Sequence, residues 1–177
     1  MTGQPLDYEG EFYQFQKAWI KPKIDPPLPI MVGGRSNAAL ARAVKFSDGW
    51  LASWCSLRRY TEAVEIMGGL SRHRLEFPAR HGLQLWAGFD EDKNQARKLL
   101  ASSMEHLYQV PFEKFERYTP FGSPQSVAEY LIPFREAGCR IFNIMPVASA
   151  EQAGIEAVAE VKRLLSGRDL TLEGRGA

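Results

Sequence analysis

The chain has 177 residues, 45% of them apolar and 24% charged, with a formal net charge of +1. That length suits one domain with a sizeable core, and the composition is ordinary for a soluble globular protein. The near-zero charge excludes the electrostatic footprint of a nucleic-acid or anionic-membrane binder, and no apolar run approaches the ~20 residues of a membrane span. The opening MTGQPLDYEGEF is polar and lacks the apolar region of a signal peptide. Cys55 and Cys139 lie far apart, and His73, His81 and His106 make no HxxxH or HxH pair, so neither a disulfide nor a metal site is expected. The two cysteines read as reduced, partly buried thiols in a cytoplasmic protein.

Residues 1–28 alternate aromatic and polar side chains around Gly10 and then turn proline-rich. They read as a hairpin arm and linker whose Tyr8, Phe12, Tyr13, Phe15 and Trp19 need a larger body to pack on. Residues 29–166 form the main body. Ile30 to Val32 read as a short strand buried on both faces. Ser36 is a candidate N-cap for a helix from Asn37 to Phe46, with Ala39, Leu40, Ala43 and Val44 on one face. Gly49 to Ser53 is the second strand, and 57–70 a helix with Tyr60, Ala63, Val64, Met67 and Leu70 inward. Residues 82–89 are the third strand. The helix 91–108 turns Ala96, Leu99, Leu100, Met104 and Leu107 inward, and Pro111 ends it before an irregular insertion.

Ser123-Pro124 is a strong helix start, and Gly138 a natural helix stop. Pro133 predicts a kink or an early end between them. Residues 140–147 are the fourth strand. The last helix, 151–165, buries Ile155, Val158, Ala159, Val161 and Leu164 or Leu165, and 167–177 is a frayed tail.

Strand followed by helix, four times over, argues for an α/β protein with parallel strands and right-handed crossovers. An open doubly wound sheet and part of a (β/α) barrel both fit. A complete barrel needs eight units and ~250 residues, so this chain supplies half of one.

Ligands of parallel α/β folds bind where strands hand over to helices at the carboxyl ends. There Gly33 and Gly34 end a strand, and Arg35, Ser36 and Asn37 open a helix. Glycines let backbone approach a ligand, the helix start offers free N–H groups, and Arg35 and Ser36 add donors. This fits a phosphate cradle, but a plain tight turn with Ser36 as its cap fits equally. The spacing is neither a Walker lysine loop nor a G-x-G-x-x-G fingerprint. Asp48 precedes a strand and reads as a turn residue. Asp90, Glu91 and Asp92 read as an acidic helix start, and Arg58 and Arg59 as a solvated one.

The segment PPLPIMVGGRSNAALARAVKFSDGWLASW resembles the C-terminal half of the bacterial luciferase-like monooxygenase superfamily. The likeness lies in PIMVGG (29–34), which is close to the family's P-x-I-x-V-G-G strand, the alanine-rich helix (36–46) and D-G-W (48–50). YEGEFYQF resembles the family's F-x-G-x-x-Y arm, and GSPQSVAEYLIPFREAGCRIFNIMPV its last helix and barrel strand. The resemblance spans residues 8 to 165. It implies a partial TIM-like barrel, strands five to eight of eight, with FMN or the deazaflavin coenzyme F-420 at the strands' carboxyl ends. Gly33, Gly34 and Ser36 then match positions at the cofactor's phosphate. Ser53 and Trp54 match pocket positions, with the Trp54 indole as a flat wall or as core packing. Met145 and Pro146 stand at the mouth of the last strand.

The family's first four strands are absent, and no general base is assignable. The expectation is a fragment that pairs with a missing N-terminal half or with itself as a homo-oligomer. The implied activity is oxidation of a small organic substrate by reduced flavin and oxygen, or hydride transfer with the deazaflavin. A non-catalytic flavin or phosphate-ligand binder and a half-barrel relative of phospho-sugar isomerases or lyases are the rivals.

Overall fold

The computed structural model describes residues 4–19, 21–22, 24–71 and 80–167. His73 and the tail from residue 168 lie outside the described residues. The chain divides into two units, Met1–Ile30 and Met31–Ala177.

In the first unit, β1 (Leu6–Glu9) and β2 (Gln14–Ala18) form an antiparallel hairpin that pairs Tyr8 with Phe15. The two rings stack at 5.4 Å, the cross-strand contact expected of aromatic partners.

The second unit runs β3 (Met31–Gly33), α1 (Asn37–Phe46), β4 (Gly49–Ser53), α2 (Leu57–Leu70), β5 (His81–Phe89) and α3 (Lys93–Tyr108). Two 3-10 turns (Phe112–Lys114 and Glu116–Tyr118) lead to β6 (Phe121–Gly122), α4 (Pro124–Glu136), β7 (Cys139–Val147) and α5 (Glu151–Gly167). Strands β3, β4, β5 and β7 are parallel neighbours in that order. Gly88 of β5 pairs with Val147 on one side and Phe121 on the other, so β6 extends the β4 edge beyond the end of β4.

Alternation along the strands assigns the two faces. Trp50, Ala52, Leu83, Leu85, Ala87 and Phe89 share one core with Leu40 and Ala43 of α1, Tyr60 and Met67 of α2, Leu131 and Phe134 of α4, and Val161 of α5. Four helices therefore cover one face of a sequentially ordered sheet. That is the outer layer of a barrel, not a doubly wound sheet, which carries helices on both faces.

Helix α3 departs from the expected rhythm. Leu100 and Met104 pack with Trp86, Phe112 and Val147 in a separate cluster on the other, inner face. Gly88 makes room for it: a Cβ there would stand 2.6 Å from the Ala96 carbonyl oxygen and 2.9 Å from the Leu100 Cβ. Thus α4, not α3, is the crossover helix between β5 and β7. Arg97 binds Glu116 at 2.6 Å and ties α3 to the second 3-10 turn.

Other expectations need correcting. Strand β3 bonds only β4 within the sheet, so Met31 and Val32 are half-buried rather than covered on both sides. Leu70, Leu107, Ile155 and Ala159 are exposed, because each helix buries a narrower stripe than the spacing suggests. Pro133 does not end α4, which runs to Glu136. It sits in the last turn, where its missing N–H and ring cost least cooperative structure. Ser36, Ser56, Asp92 and Ser123 are the observed N-caps, each side chain accepting from a backbone N–H of the first turn.

Two outcomes are expected. Gly88→Val overpacks the contact with α3 and should cost about 1–3 kcal/mol in a urea melt; an unchanged midpoint would contradict the placement of α3. His81 is buried at the start of β5, and burial lowers its pKa, so the folded protein holds it neutral. The unfolded chain takes up a proton below about pH 6.5, so stability is full above that value and falls as pH drops, by at most about 1.4 kcal/mol per unit. His81→Gln should flatten that slope in melts between about pH 7 and 5.5.

Candidate functional site

The β3–α1 corner lies at the carboxyl end of the sheet, and residues 33 to 38 are exposed. The two glycines are not equivalent. Gly34 has φ +121°, and a Cβ there would meet the Ala39 Cβ at 2.7 Å. Gly33 has no positive φ, and its Cβ would stand 3.6 Å from the Leu51 oxygen, an ordinary contact. Only the second glycine is demanded by the turn.

Three side chains fix the corner. The Trp50 indole N–H donates to the Gly34 carbonyl at 2.7 Å. The Arg59 guanidinium, reaching over from α2, donates to the Arg35 carbonyl at 2.7 and 3.3 Å and to Asn37 Oδ1 at 2.8 Å. Arg35 Nη1 in turn donates to the Trp54 carbonyl at 2.8 Å. Two neighbouring strand-end loops are thus cross-braced by two arginines. A trans peptide sets each N–H antiparallel to the preceding carbonyl. With both carbonyls held, the N–H groups of Arg35 and Ser36 face the other way. Those of Asn37 and Ala38 begin the helix, and Ser36 Oγ takes the N–H of Ala39 at 3.2 Å. The N–H groups of residues 35 to 38 find no partner among the described residues.

Trp54 follows β4 with φ +51°, a left-handed conformation that costs a bulky residue of order 1 kcal/mol or more. Its half-buried ring lies 4.6 Å from Phe115 and edge-on to Tyr108 at 5.6 Å. Trp86 joins this cluster through Nε1, which donates to the Tyr108 hydroxyl at 3.1 Å. Trp54 is therefore part of an aromatic cluster beneath α3.

Ser53 lies on the inner face, level with Gln84 of β5. Met145 also points inward, level with Trp86. Pro146 faces the outer side instead: a Cβ on Gly154 of α5 would stand 3.2 Å from its ring. Alternation along β7 puts it there, so it does not line the inner face with Met145.

Asp90 and Asp92 are turn and cap residues: Asp90 Oδ1 accepts from the Asp92 N–H and Asp92 Oδ1 from the Asn94 N–H. Asp48 stands at the amino end of β4, away from the carboxyl-end corner. Arg58 is solvated and paired with Glu62. Arg59 is not: its side chain is only 26% exposed and braces the corner. Spacing missed it because the brace spans two loops separated in sequence. Burial pushes the Cys55 thiol up to about 11 despite the nearby Arg59 and Arg35 charges, so it is no nucleophile at neutral pH. Cys55 and Cys139 are both free and buried. Among the described residues no cluster of histidine, cysteine or carboxylate side chains suits a metal ion, and no helix is long and apolar enough to cross a membrane.

Comparison with known proteins gives three findings. The family model described as luciferase-like monooxygenase matches residues 1–127. An uncharacterized protein of Mycobacterium tuberculosis is 44% identical over 50 residues, which cover 28% of this chain and 17% of that protein. Two solved structures share the fold. One is an F-420-dependent secondary alcohol dehydrogenase in complex with an F-420-acetone adduct, with a TM-score of 0.75 at 17% identity over 93% of this chain and 57% of that one. The other is a riboflavin lyase with modified FMN and substrate riboflavin, with a TM-score of 0.63 at 11% identity over 93% and 49%. The chain thus spans about half the length of these structures.

The inequivalence of the glycines is testable. Gly34→Ala should destabilise the protein by about 1–3 kcal/mol through positive φ and the Ala39 contact, whereas Gly33→Ala should change stability by under about 1 kcal/mol. Equal losses in denaturant titrations would contradict the assignment.

Proposed function

The chain belongs to the luciferase-like monooxygenase family, and from that premise we propose that it carries the phosphate-binding corner of a flavin-type oxidoreductase. The observation that carries this reading is the inward pinning of the Gly34 and Arg35 carbonyls by Trp50 and Arg59. Carbonyl oxygens repel an anion. Here the two at the turn are neutralised by donors, and the amides of Arg35, Ser36, Asn37 and Ala38 are left for a phosphate at the positive end of α1. Gly33 and Gly34 let that group come close. Arg35 keeps further N–H donors beyond the one spent on Trp54, and Arg59 adds charge from behind.

Ser53, Trp54 and Met145 would line the pocket beside the ring system, with the aromatic cluster under α3 excluding water. The cofactor is FMN or the deazaflavin coenzyme F-420. Bound there, it would supply electrons for oxygen activation or a hydride, to oxidise or reduce a small organic substrate. The outer edges of β3 and β7 bond no strand of this sheet, so a second set of strand-helix units, from an N-terminal half or another copy, would complete the barrel.

The test is calorimetric titration of the chain with FMN and with riboflavin, which differ only by the phosphate. FMN should bind at least tenfold tighter, and Arg35→Ala should erase most of that preference while leaving riboflavin unaffected. Equal affinities for the two ligands would refute the corner's role.

A further inference from the structure

A crevice of about 410 Å³ opens on the outer face of the sheet, between β7, α5 and the end of α4. That volume is in the range of small-molecule sites. Cys139 and Arg140, which begin β7, belong to it, so it lies toward the amino end of the sheet, away from the glycine corner. Alternation along β7 puts Phe142 and Ile144 on the outer face with Pro146. These half-buried side chains form one wall, and the buried Val161 and Leu165 of α5 belong to the other.

The charges on this crevice are of one sign. Arg135, Arg140 and Lys162 line it, and no acidic side chain does. Arg135 Nη1 donates to the Leu165 carbonyl, and Arg140 Nη1 to the Arg135 carbonyl at 3.5 Å. The first bond braces the last turn of α5 against α4, which accounts for the position of Arg135. It does not account for Arg140 and Lys162, which are exposed and have no carboxylate partner among the described residues. Elsewhere Arg58, Arg59, Arg97 and Arg163 each pair with a glutamate. Like charges around one opening repel, and an anion among them relieves that repulsion. The walls make a different demand, since apolar surface favours a ligand with an apolar body over a small inorganic ion.

We propose that this crevice binds a single-chain amphiphilic carboxylate, an acid group on an apolar body of the fatty-acid type. The carboxylate accepts hydrogen bonds from Arg140 and Lys162, a charge-assisted contact at the rim. The chain lies between Phe142 and Ile144 on one side and Val161 and Leu165 on the other. A cationic amphiphile is repelled by the same rim, and a neutral one leaves its charges unanswered. The site is on the other face and toward the other end of the sheet from the corner, so it stands or falls apart from the flavin-type reading.

The test is titration of the full chain with decanoate, followed through the methyl signals of Ile144, Val161 and Leu165 in a proton–carbon spectrum. These signals should shift together and saturate with one dissociation constant. Decanol should bind at least about tenfold more weakly, the scale of losing one hydrogen bond to a charged group. Acetate, which has the head without the chain, should leave the signals in place. Arg140→Ala combined with Lys162→Ala should erase the preference for decanoate over decanol, with circular dichroism checking that this variant folds. Equal binding of decanoate and decanol, saturation by acetate, shifts centred elsewhere, or a preference that survives in the folded variant would each overturn the proposal. So would methyl signals that move with protein concentration alone, which would make a second copy the occupant. Shifts on adding phosphatidylglycerol vesicles would make it a membrane lipid and overturn the free acid.

Discussion

The organisation of the carboxyl-end face depends on one arrangement: two backbone carbonyls, of Gly34 and Arg35, held inward by an indole and a guanidinium. A Gly-Gly turn alone has many accessible conformations, and its amides point wherever the chain happens to rest. Donors on β4 and α2 remove that freedom. Trp50 is fully buried and packed against the tilted ring of Tyr60 at 5.2 Å, so its N–H is a rigid anchor set into the core. The remaining guanidinium nitrogen of Arg59, Nη1, pairs with Glu62 at 3.5 Å. The corner is therefore set before any ligand arrives, which lowers the ordering cost of binding.

The second constraint is the position of α3. Helices α1, α2, α4 and α5 form the outer layer, and their core fixes the sheet. By lying on the opposite face, α3 brings Tyr108 over Trp54 and Trp86 and roofs the inner surface at its carboxyl end. The Arg35 bond to the Trp54 carbonyl then links this roof to the glycine corner. Strain in the Trp54 backbone is maintained by packing on one side and a charged hydrogen bond on the other, as expected where structure over-determines an unfavourable conformation.

Much of this was legible in the sequence, for identifiable reasons. Strong caps at Ser36 and Ser123 and short apolar runs placed the outer helices and the parallel strands within a residue or two. The parallel fold followed from the strand-helix rhythm, and the family from an ordered set of motifs. What the sequence hid was tertiary. The periodicity of α3 is the same whichever face of the sheet it covers, so its location could not be read from its stripe. β6 is two residues long and leaves no periodic signal. Pro146 and Met145 are neighbours in sequence yet face opposite sides of β7, and only the register decides which lies inward. Arg59 looked like one of two solvated arginines, and only the loop geometry separates it from Arg58.

The account's central claim is that the amides past Gly34 receive an anionic group. The most direct measurement is a two-dimensional proton–nitrogen spectrum of the labelled chain during titration with inorganic phosphate. The account predicts that the backbone signals of Arg35, Ser36, Asn37 and Ala38 shift together and saturate with one dissociation constant, and that Arg35→Ala weakens it. Static signals for these four residues, or shifts centred elsewhere on the surface, would contradict it.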